Sequence, residues 1–155
     1  MYQTRLATPE DAATLAAQRR RMSLEEGRAD TDDLRRSLHA FEPWAADMLR
    51  QGKYIGWLAL HDDKVIGGAG LWVQDWPPCA LDPAPYRGYL LNVYVDPEHR
   101  RKGLARTMIG HALAEARRRS IRVVALHATE TGQSLYTSLG FQRTNEMYYV
   151  DRAAE

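Results

Sequence analysis

The sequence predicts an α/β fold of the α+β kind, in one domain over residues 1–155, with a mixed central sheet of about six strands flanked by about four helices. A length of 155 residues suits one domain and is too short for two independent cores. Strand-like and helix-like segments follow one another without an internal repeat. Hydrophobic residues make up 45% and charged residues 26%, so a buried core is expected.

The N-terminal part predicts one strand and two helices. Residues 2–7 alternate weakly and predict a short strand. Thr8, followed by a proline and two acids, begins a helix of about 13 residues that ends at arginines 19–21. Residues 31–33 cap a second helical region, and we expect an interruption near Pro43 because an interior proline removes a hydrogen bond.

The middle of the chain predicts three long strands. Residues 54–60 and 65–74 flank a pair of aspartates, which is typical of a β-hairpin. Residues 75–86 contain four prolines and predict a loop. Residues 89–95 form an apolar run rich in β-branched and aromatic residues, so we expect a strand that is buried on both faces.

The C-terminal part alternates between helices and strands. A helical period begins after residues 99–103 and ends at arginines 117–119. Residues 123–126 predict a strand, residues 133–139 a short helix, and residues 141–150 a final strand. Together these elements give the mixed sheet stated above.

Charge and cysteine content exclude several classes of protein. The 21 Lys and Arg against 20 Asp and Glu give a formal net charge of +1, without the basic excess of a dedicated nucleic-acid binder. Cys79 is the only cysteine, so no intramolecular disulfide can form and a reducing cytoplasm is expected. No uncharged stretch approaches the ~20 apolar residues that span a bilayer, and residues 1–10 lack the apolar run of a secretion signal.

The junction over residues 93–106 carries the strongest chemical signal. A buried strand stops, a short basic loop follows, and a helix begins beside the small residues Gly103 and Ala105. Free N–H groups and the positive end of the helix dipole favour an anion, and small side chains let a phosphate approach the backbone. The alternative is a helix N-terminus with basic neighbours and no ligand. The segment is neither a P-loop nor a Rossmann fingerprint, because both glycine patterns are absent.

Arg100, Gly103 and Ala105 fit the pattern R/Q-x-x-G-x-G/A, so this segment resembles the acyl-CoA signature of the GNAT superfamily of N-acyltransferases. Residues 135–142 resemble the LY-x-x-x-GF segment of the same family, and the order of elements matches over nearly the whole chain. The resemblance implies an N-acetyltransferase that uses acetyl-CoA as co-substrate, needs no metal, and acts on a primary amine of a small molecule or peptide by direct attack in a ternary complex.

The resemblance also implies a coenzyme A site. Strand backbone groups would bind the pantetheine, the basic loop would hold the pyrophosphate, and Thr129 stands where the family often has an Asn that contacts the cofactor. The implied residues are Val93, Tyr94, Val95, Arg100, Arg101, Lys102, Gly103, Leu104, Ala105, Arg106 and Thr129.

Tyr136 is the candidate catalytic residue. In the family, the matching tyrosine commonly protonates the departing thiolate. Independently, Leu135 and Leu139 are four residues apart and form the buried stripe of the short helix, so Tyr136 can face a cleft. A phenol with a pKa near 10 is a suitable acid for a thiolate. The alternative is a tyrosine that only packs.

The general base is less well defined. The strand over residues 89–95 has no acid and only Asn92 as a polar candidate, so a water relay or a residue from elsewhere is needed. His127 and Glu130 follow the strand before the Tyr136 helix and are the two candidates.

Two groups of residues suggest acceptor contacts. One is a group of acidic residues, which would either attract a cationic amine or form a solvated face. The other is a group of aromatic residues, which would form either an apolar wall of the site or part of the core. The groups are Glu25, Glu26, Asp30, Asp32 and Asp33, and Trp44, Trp72, Trp76 and Tyr86.

Two alternative functions and the oligomeric state remain to be considered. A GNAT domain that binds acyl-CoA without turnover is favoured by the missing base and opposed by Tyr136. Nucleic-acid binding through the arginine clusters lacks an aromatic stacking platform, so nucleic acid is not expected as a partner. A membrane is not expected either, because no apolar stretch is long enough to span one. Homodimers are common in the family, and the sequence leaves monomer and homodimer open.

Overall fold

The computed structural model describes residues 1–151, in which five strands form one sheet in the order β1-β2-β3-β4-β5. The first four strands pair antiparallel with their neighbours, whereas β4 and β5 pair in parallel. The mixed sheet confirms the predicted α/β class. The strands are β1 Tyr2–Leu6, β2 Tyr54–His61, β3 Lys64–Asp75, β4 Tyr86–Val95 and β5 Val124–Ala125.

Four helices cover the two faces of this sheet. Two of them pack on one face around the buried Leu15, Tyr54 and Leu58, and the other two pack on the opposite face around Met108 and Ile109. Within residues 1–151, no helix is both long enough and apolar enough to cross a bilayer. The helices on the first face are α1 Ala12–Glu25 and α2 Asp32–Arg50, and those on the opposite face are α3 Leu104–Arg118 and α4 Gln133–Ser138.

Helix α1 extends beyond the predicted end. A 3₁₀ turn over Pro9–Asp11 precedes it, and the arginines at 19–21 lie in its interior. Arg20 donates to Asp30 at 2.6 Å and Arg21 to Asp96 at 3.0 Å. Arg20 and Arg21 are therefore bound to carboxylates outside the helix instead of ending it, which the local sequence did not reveal.

Helix α2 is continuous through Pro43, so the predicted interruption is wrong. The apolar face of α2 packs Phe41, Trp44 and Met48 against the cluster around Tyr54. The carbonyl of His39 loses its helical partner at the proline, but the surrounding helix surface is exposed and water can satisfy it. Burial of the apolar face therefore maintains the helix.

The predicted final strand over residues 141–150 does not form, which leaves five strands. Side chains hold this segment instead, since Arg143 donates to Gln133 at 2.6 Å and Arg87 to Glu146 at 3.3 Å. Strand β5 pairs at only two positions and offers a short edge. The apolar residues of this segment therefore have no neighbouring strand with which to pair. Met147, for example, is 91% exposed.

Glycines in β3 make room for buried polar side chains. A Cβ at Gly70 would lie 2.2 Å from the Tyr54 hydroxyl oxygen, and one at Gly68 would lie 2.5 Å from Gln18 Oε1. Tyr54 and Gln18 are 1% and 3% exposed, and neither of these two oxygens has a hydrogen-bond partner among the described residues. Burial strongly raises the pKa of Tyr54. The phenol therefore stays neutral and fills the space that Gly70 leaves.

Replacing Gly70 by Ala should lower the free energy of unfolding by about 1–3 kcal/mol, because the new methyl group overlaps a buried ring that cannot retreat. Gly110→Ala is the matched control. Gly110 is exposed on α3 with no atom within 4 Å of a Cβ, so alanine there should stabilise by about 0.5–1 kcal/mol. Urea unfolding of both variants measures the effects, and an unchanged midpoint for Gly70→Ala would contradict this packing.

Candidate functional site

Strands β4 and β5 separate soon after they meet. Pairing is limited to Gly88 with Val124 and Tyr89 with Ala125, whereas β4 stays paired with β3 as far as Val95. The part of β4 beyond Tyr89 therefore has no strand on its β5 side. Unpaired strand groups at such an opening can bind an extended chain that carries amides.

A bulge at Asn92 lies inside this opening. Asn92 has a φ of 56°, and the register with β3 shifts between Gly68 and Gly70. Asn92 is 1% exposed, its Nδ2 donates to the Leu15 carbonyl at 2.8 Å, and its Oδ1 accepts from Arg19 at 3.3 Å. Asn92 therefore ties the bulge to α1, and the sequence marked it only as a polar residue in a strand.

The bulge determines which backbone groups of β4 face the opening. Asp96 N–H donates to the Ile66 carbonyl on β3 at 2.8 Å. The backbone groups of the residues before Asp96 therefore point alternately away from β3 and towards it. Alternation directs the backbone groups of Val95 and Val93 away from β3. The Val95 carbonyl accepts from Arg100 Nε at 2.8 Å, whereas Tyr94 points its side chain towards Glu25 on the α1 face.

The loop before α3 forms a cradle of backbone N–H groups. Arg101 and Gly103 have φ values of 63° and 79°, and Gly103 is the N-cap residue. The first N–H groups of the helix, at Leu104, Ala105 and Arg106, have no intrahelical acceptor. A Cβ at Gly103 would meet nothing within 4 Å, so the cradle is open. The positive end of the helix dipole and these free N–H donors together suit a phosphate.

The basic side chains of this loop differ in their partners. Arg100 donates to Glu25 Oε2 at 2.5 Å, Lys102 to the Tyr2 hydroxyl at 2.7 Å, and Arg106 to Ser138 Oγ at 2.6 Å. Arg101 makes no ion pair within residues 1–151. The backbone therefore supplies most of the cradle. Among the described residues only Arg100 of this group pairs with a carboxylate, and Arg101 makes neither an ion pair nor a side-chain hydrogen bond.

Tyr136 lies on α4, next to the cradle helix through the Arg106–Ser138 bond. Its ring is half-buried, with the centroid 5.8 Å from that of Phe141 and an edge against Gly132. Burial raises the pKa of Tyr136 above its usual value of 10. No hydrogen bond engages the hydroxyl among the described residues. The hydroxyl is therefore a protonated donor at neutral pH.

The segment between β5 and α4 holds the other candidate residues. Thr129 Oγ1 accepts from the Gly132 N–H at 3.2 Å and so caps a 3₁₀ turn over Glu130–Gly132. His127 Nδ1 forms a hydrogen bond with the Tyr89 hydroxyl, at the point where β4 leaves β5. Glu130 is exposed at the start of the turn. Of the two predicted base candidates, His127 is the one bonded to β4, at the last residue of β4 that pairs with β5.

The acidic group is bound mainly by neighbouring arginines. Glu25 pairs with Arg100, as described above, and the others pair with arginines of α1, α2 or the connection between them. These contacts make the group a charged surface. The pairs are Glu26–Arg28, Asp30–Arg20, Asp32–Arg35 and Asp33–Arg36.

Comparison with known proteins identifies relatives for nearly the whole chain. The model of the acetyltransferase (GNAT) family matches residues 17–141. A GCN5-related N-acetyltransferase from Ralstonia eutropha JMP134 is 36% identical, with a TM-score of 0.92 over 97% of this chain and 99% of that one. A predicted acetyltransferase from Clostridium acetobutylicum, solved with acetyl-CoA, is 26% identical, with a TM-score of 0.90 over 100% of this chain and 99% of that one.

Two human relatives match this chain over only part of their own length. Human N-acetyltransferase 8 is 30% identical over 96 residues, which are 60% of this chain and 40% of that protein. Human N-acetyltransferase 8B matches over the same shares with the same identity. The matched region of this chain thus spans about 40% of the length of these two proteins.

Proposed function

Because the chain belongs to the GNAT family of acetyltransferases, we propose that it transfers an acetyl group from acetyl-CoA to a primary amine of a small molecule or peptide. Family membership makes the protein an acyltransferase; acetyl-CoA and the amine are our proposal. The observation that carries it is the opening between β4 and β5, with a backbone phosphate cradle beside it and a half-buried phenol next to the cradle helix.

Coenzyme A would lie along this opening. The backbone groups of Val93 and the N–H of Val95, which face away from β3, suit the pantetheine amides, and the N–H groups from Gly103 to Arg106 suit the pyrophosphate. Arg101 adds a positive charge that no carboxylate compensates among the described residues. Arg100 would act through the Val95 carbonyl and Glu25, which it holds in place, instead of touching the phosphates.

The proposed reaction is direct attack within a ternary complex. The amine nitrogen forms a bond to the thioester carbonyl carbon, the carbon–sulfur bond breaks, and the amine loses a proton. The Tyr136 hydroxyl would supply a proton to the departing thiolate, because a phenol is protonated at neutral pH and this one makes no hydrogen bond among the described residues. We assign the proton from the amine to His127, directly or through water, since His127 lies beside Tyr89 at the opening.

An acceptor screen tests the function. The protein is incubated with acetyl-CoA and representative amines, amino acids, polyamines and peptides, and acetylated product is measured by mass spectrometry. Cys79 is exposed and would consume thiol reagents, so release of coenzyme A is followed in Cys79→Ser. Product formation supports the proposal. Tight acetyl-CoA binding with no product in any class would favour the binding module instead.

We further propose a cytoplasmic location. The support is the exposed thiol of Cys79, which is the only cysteine of the chain and suits a reducing compartment. Fractionation of cells that express the protein tests the location.

A further inference from the structure

Arg19 differs from the two arginines that follow it. Arg20 and Arg21 pair with Asp30 and Asp96, whereas Arg19 makes no ion pair within residues 1–151. Its Nη1 donates to Asn92 Oδ1 at 3.3 Å, which is a bond to a neutral amide. The guanidinium therefore has four further N–H donors and no carboxylate at ion-pair distance, and the more distant charges of Glu26 and Arg28 act on it in opposite directions.

The surroundings of Arg19 favour an anionic ligand. The Arg19 side chain lies 4.9 Å from the centroid of the Phe41 ring and is exposed on one side. Neighbouring groups partly desolvate the guanidinium and lower the pKa of Arg19, which nevertheless remains charged at any working pH. A partly desolvated cation without a direct ion pair is costly, and a planar guanidinium recognises a carboxylate with two parallel hydrogen bonds.

A row of aromatic side chains leads away from Arg19 across the same face of the sheet. Centroid distances are 5.6 Å from Phe41 to Trp44, 5.3 Å from Trp44 to Trp72, and 6.4 Å from Trp72 to Tyr89. All four rings are only half-buried. Their accessible faces give a ligand an apolar surface that begins at the guanidinium and ends near His127.

The position of Arg19 relates this surface to the reacting atoms. Arg19 binds the side chain of Asn92, the bulged residue of β4 at the opening. Only the Asn92 side chain therefore separates the guanidinium from the backbone of β4. If the thioester lies along the opening, as proposed above, a carboxylate on Arg19 brings a group on the adjacent carbon towards it. An amine on that carbon is then placed for attack.

We propose that the acceptor is an α-amino acid with an apolar or aromatic side chain, whose carboxylate binds Arg19 and whose side chain packs on the aromatic row. This inference rests on the proposed function and specifies its substrate. Arg19 is a specificity-determining residue that touches the acceptor. It takes no part in proton transfer.

Matched acceptors test the role of the carboxylate. L-phenylalanine, L-phenylalaninamide and phenethylamine share a ring and an amine, but only phenylalanine carries a carboxylate. We expect kcat/KM for phenylalanine to exceed that for the other two by about 10- to 100-fold. Arg19→Gln should remove this preference by lowering the phenylalanine value alone, and Arg19→Lys should retain part of it. Arg20→Gln changes the next residue of α1, which pairs with Asp30, and should leave the preference unchanged.

A binding measurement separates this inference from the proposed function. Trp44 and Trp72 lie in the row, so quenching of tryptophan fluorescence by each acceptor is measured with coenzyme A present, independently of turnover. Weaker phenylalanine binding in Arg19→Gln, with unchanged phenethylamine binding, supports the anion site even if no acetyl transfer is detected. Equal binding of phenylalanine by both proteins overturns it. Equal kcat/KM for the three acceptors in the natural protein also overturns it, and leaves acetyl transfer standing.

Discussion

Replacing Tyr136 by Phe is expected to lower kcat by about 10²–10⁴-fold, the usual cost of removing a general acid. The phenylalanine ring keeps the contacts with Phe141 and Gly132, so only the hydroxyl is lost. Affinity for coenzyme A should stay within a few fold, and the loss should appear in kcat and not in KM for acetyl-CoA. Steady-state kinetics with an acceptor for which chemistry limits turnover measures both constants.

Tyr149→Phe is the matched control, because Tyr149 is 88% exposed and removing its hydroxyl should leave kcat unchanged. Burial holds the pKa of Tyr136 above its usual value, so the effect of Tyr136→Phe should be the same from pH 6 to pH 9. Unchanged kcat would remove Tyr136 from the mechanism and leave it a packing residue.

Gly103→Glu should weaken coenzyme A binding on the order of 100-fold, because it places a carboxylate and a longer side chain where the phosphates approach free N–H groups. Gly103 has a φ of 79°, so any side chain there also strains the backbone. Isothermal titration calorimetry with coenzyme A measures the affinity.

Gly52→Glu controls for backbone strain and added charge. Gly52 has a φ of 66°, nothing lies within 4 Å of a Cβ there, and the residue lies between α2 and β2, outside the cradle. This variant should bind coenzyme A like the natural protein while showing a similar loss of stability. Coenzyme A binding by Gly103→Glu at natural affinity would show that the cradle is misplaced.

Local signals explain why the cradle was predictable. Gly103 adopts a left-handed φ that glycine tolerates, α3 starts directly after it, and Leu104, Met108 and Ala112 repeat at the spacing of a buried helix face. These features depend on neighbours within a few residues. The α/β class follows in the same way from the alternation and periodicity of each segment.

Side-chain roles in the site were less predictable. Arg100 and Lys102 belong to the motif, yet they bind Glu25 and Tyr2, which lie 75 and 100 residues away in sequence. Thr129 serves as the cap of a 3₁₀ turn, a use that its match to a family position does not reveal. A motif identifies the segment, whereas the partners of each side chain depend on which elements meet in space.

By itself, the amino-acid sequence determined the fold class, the strand–loop–helix junction at the cradle, and the placement of Tyr136 on a short helix, because each depends on local periodicity and capping. Tertiary structure alone decided the bulge at Asn92, the missing final strand and the unpaired charge of Arg19. Asn92 binds Arg19 across 73 residues, and a strand over residues 141–150 would need an edge longer than the two residues of β5. Such contacts form only when segments distant in sequence pack together, so local propensity does not predict them.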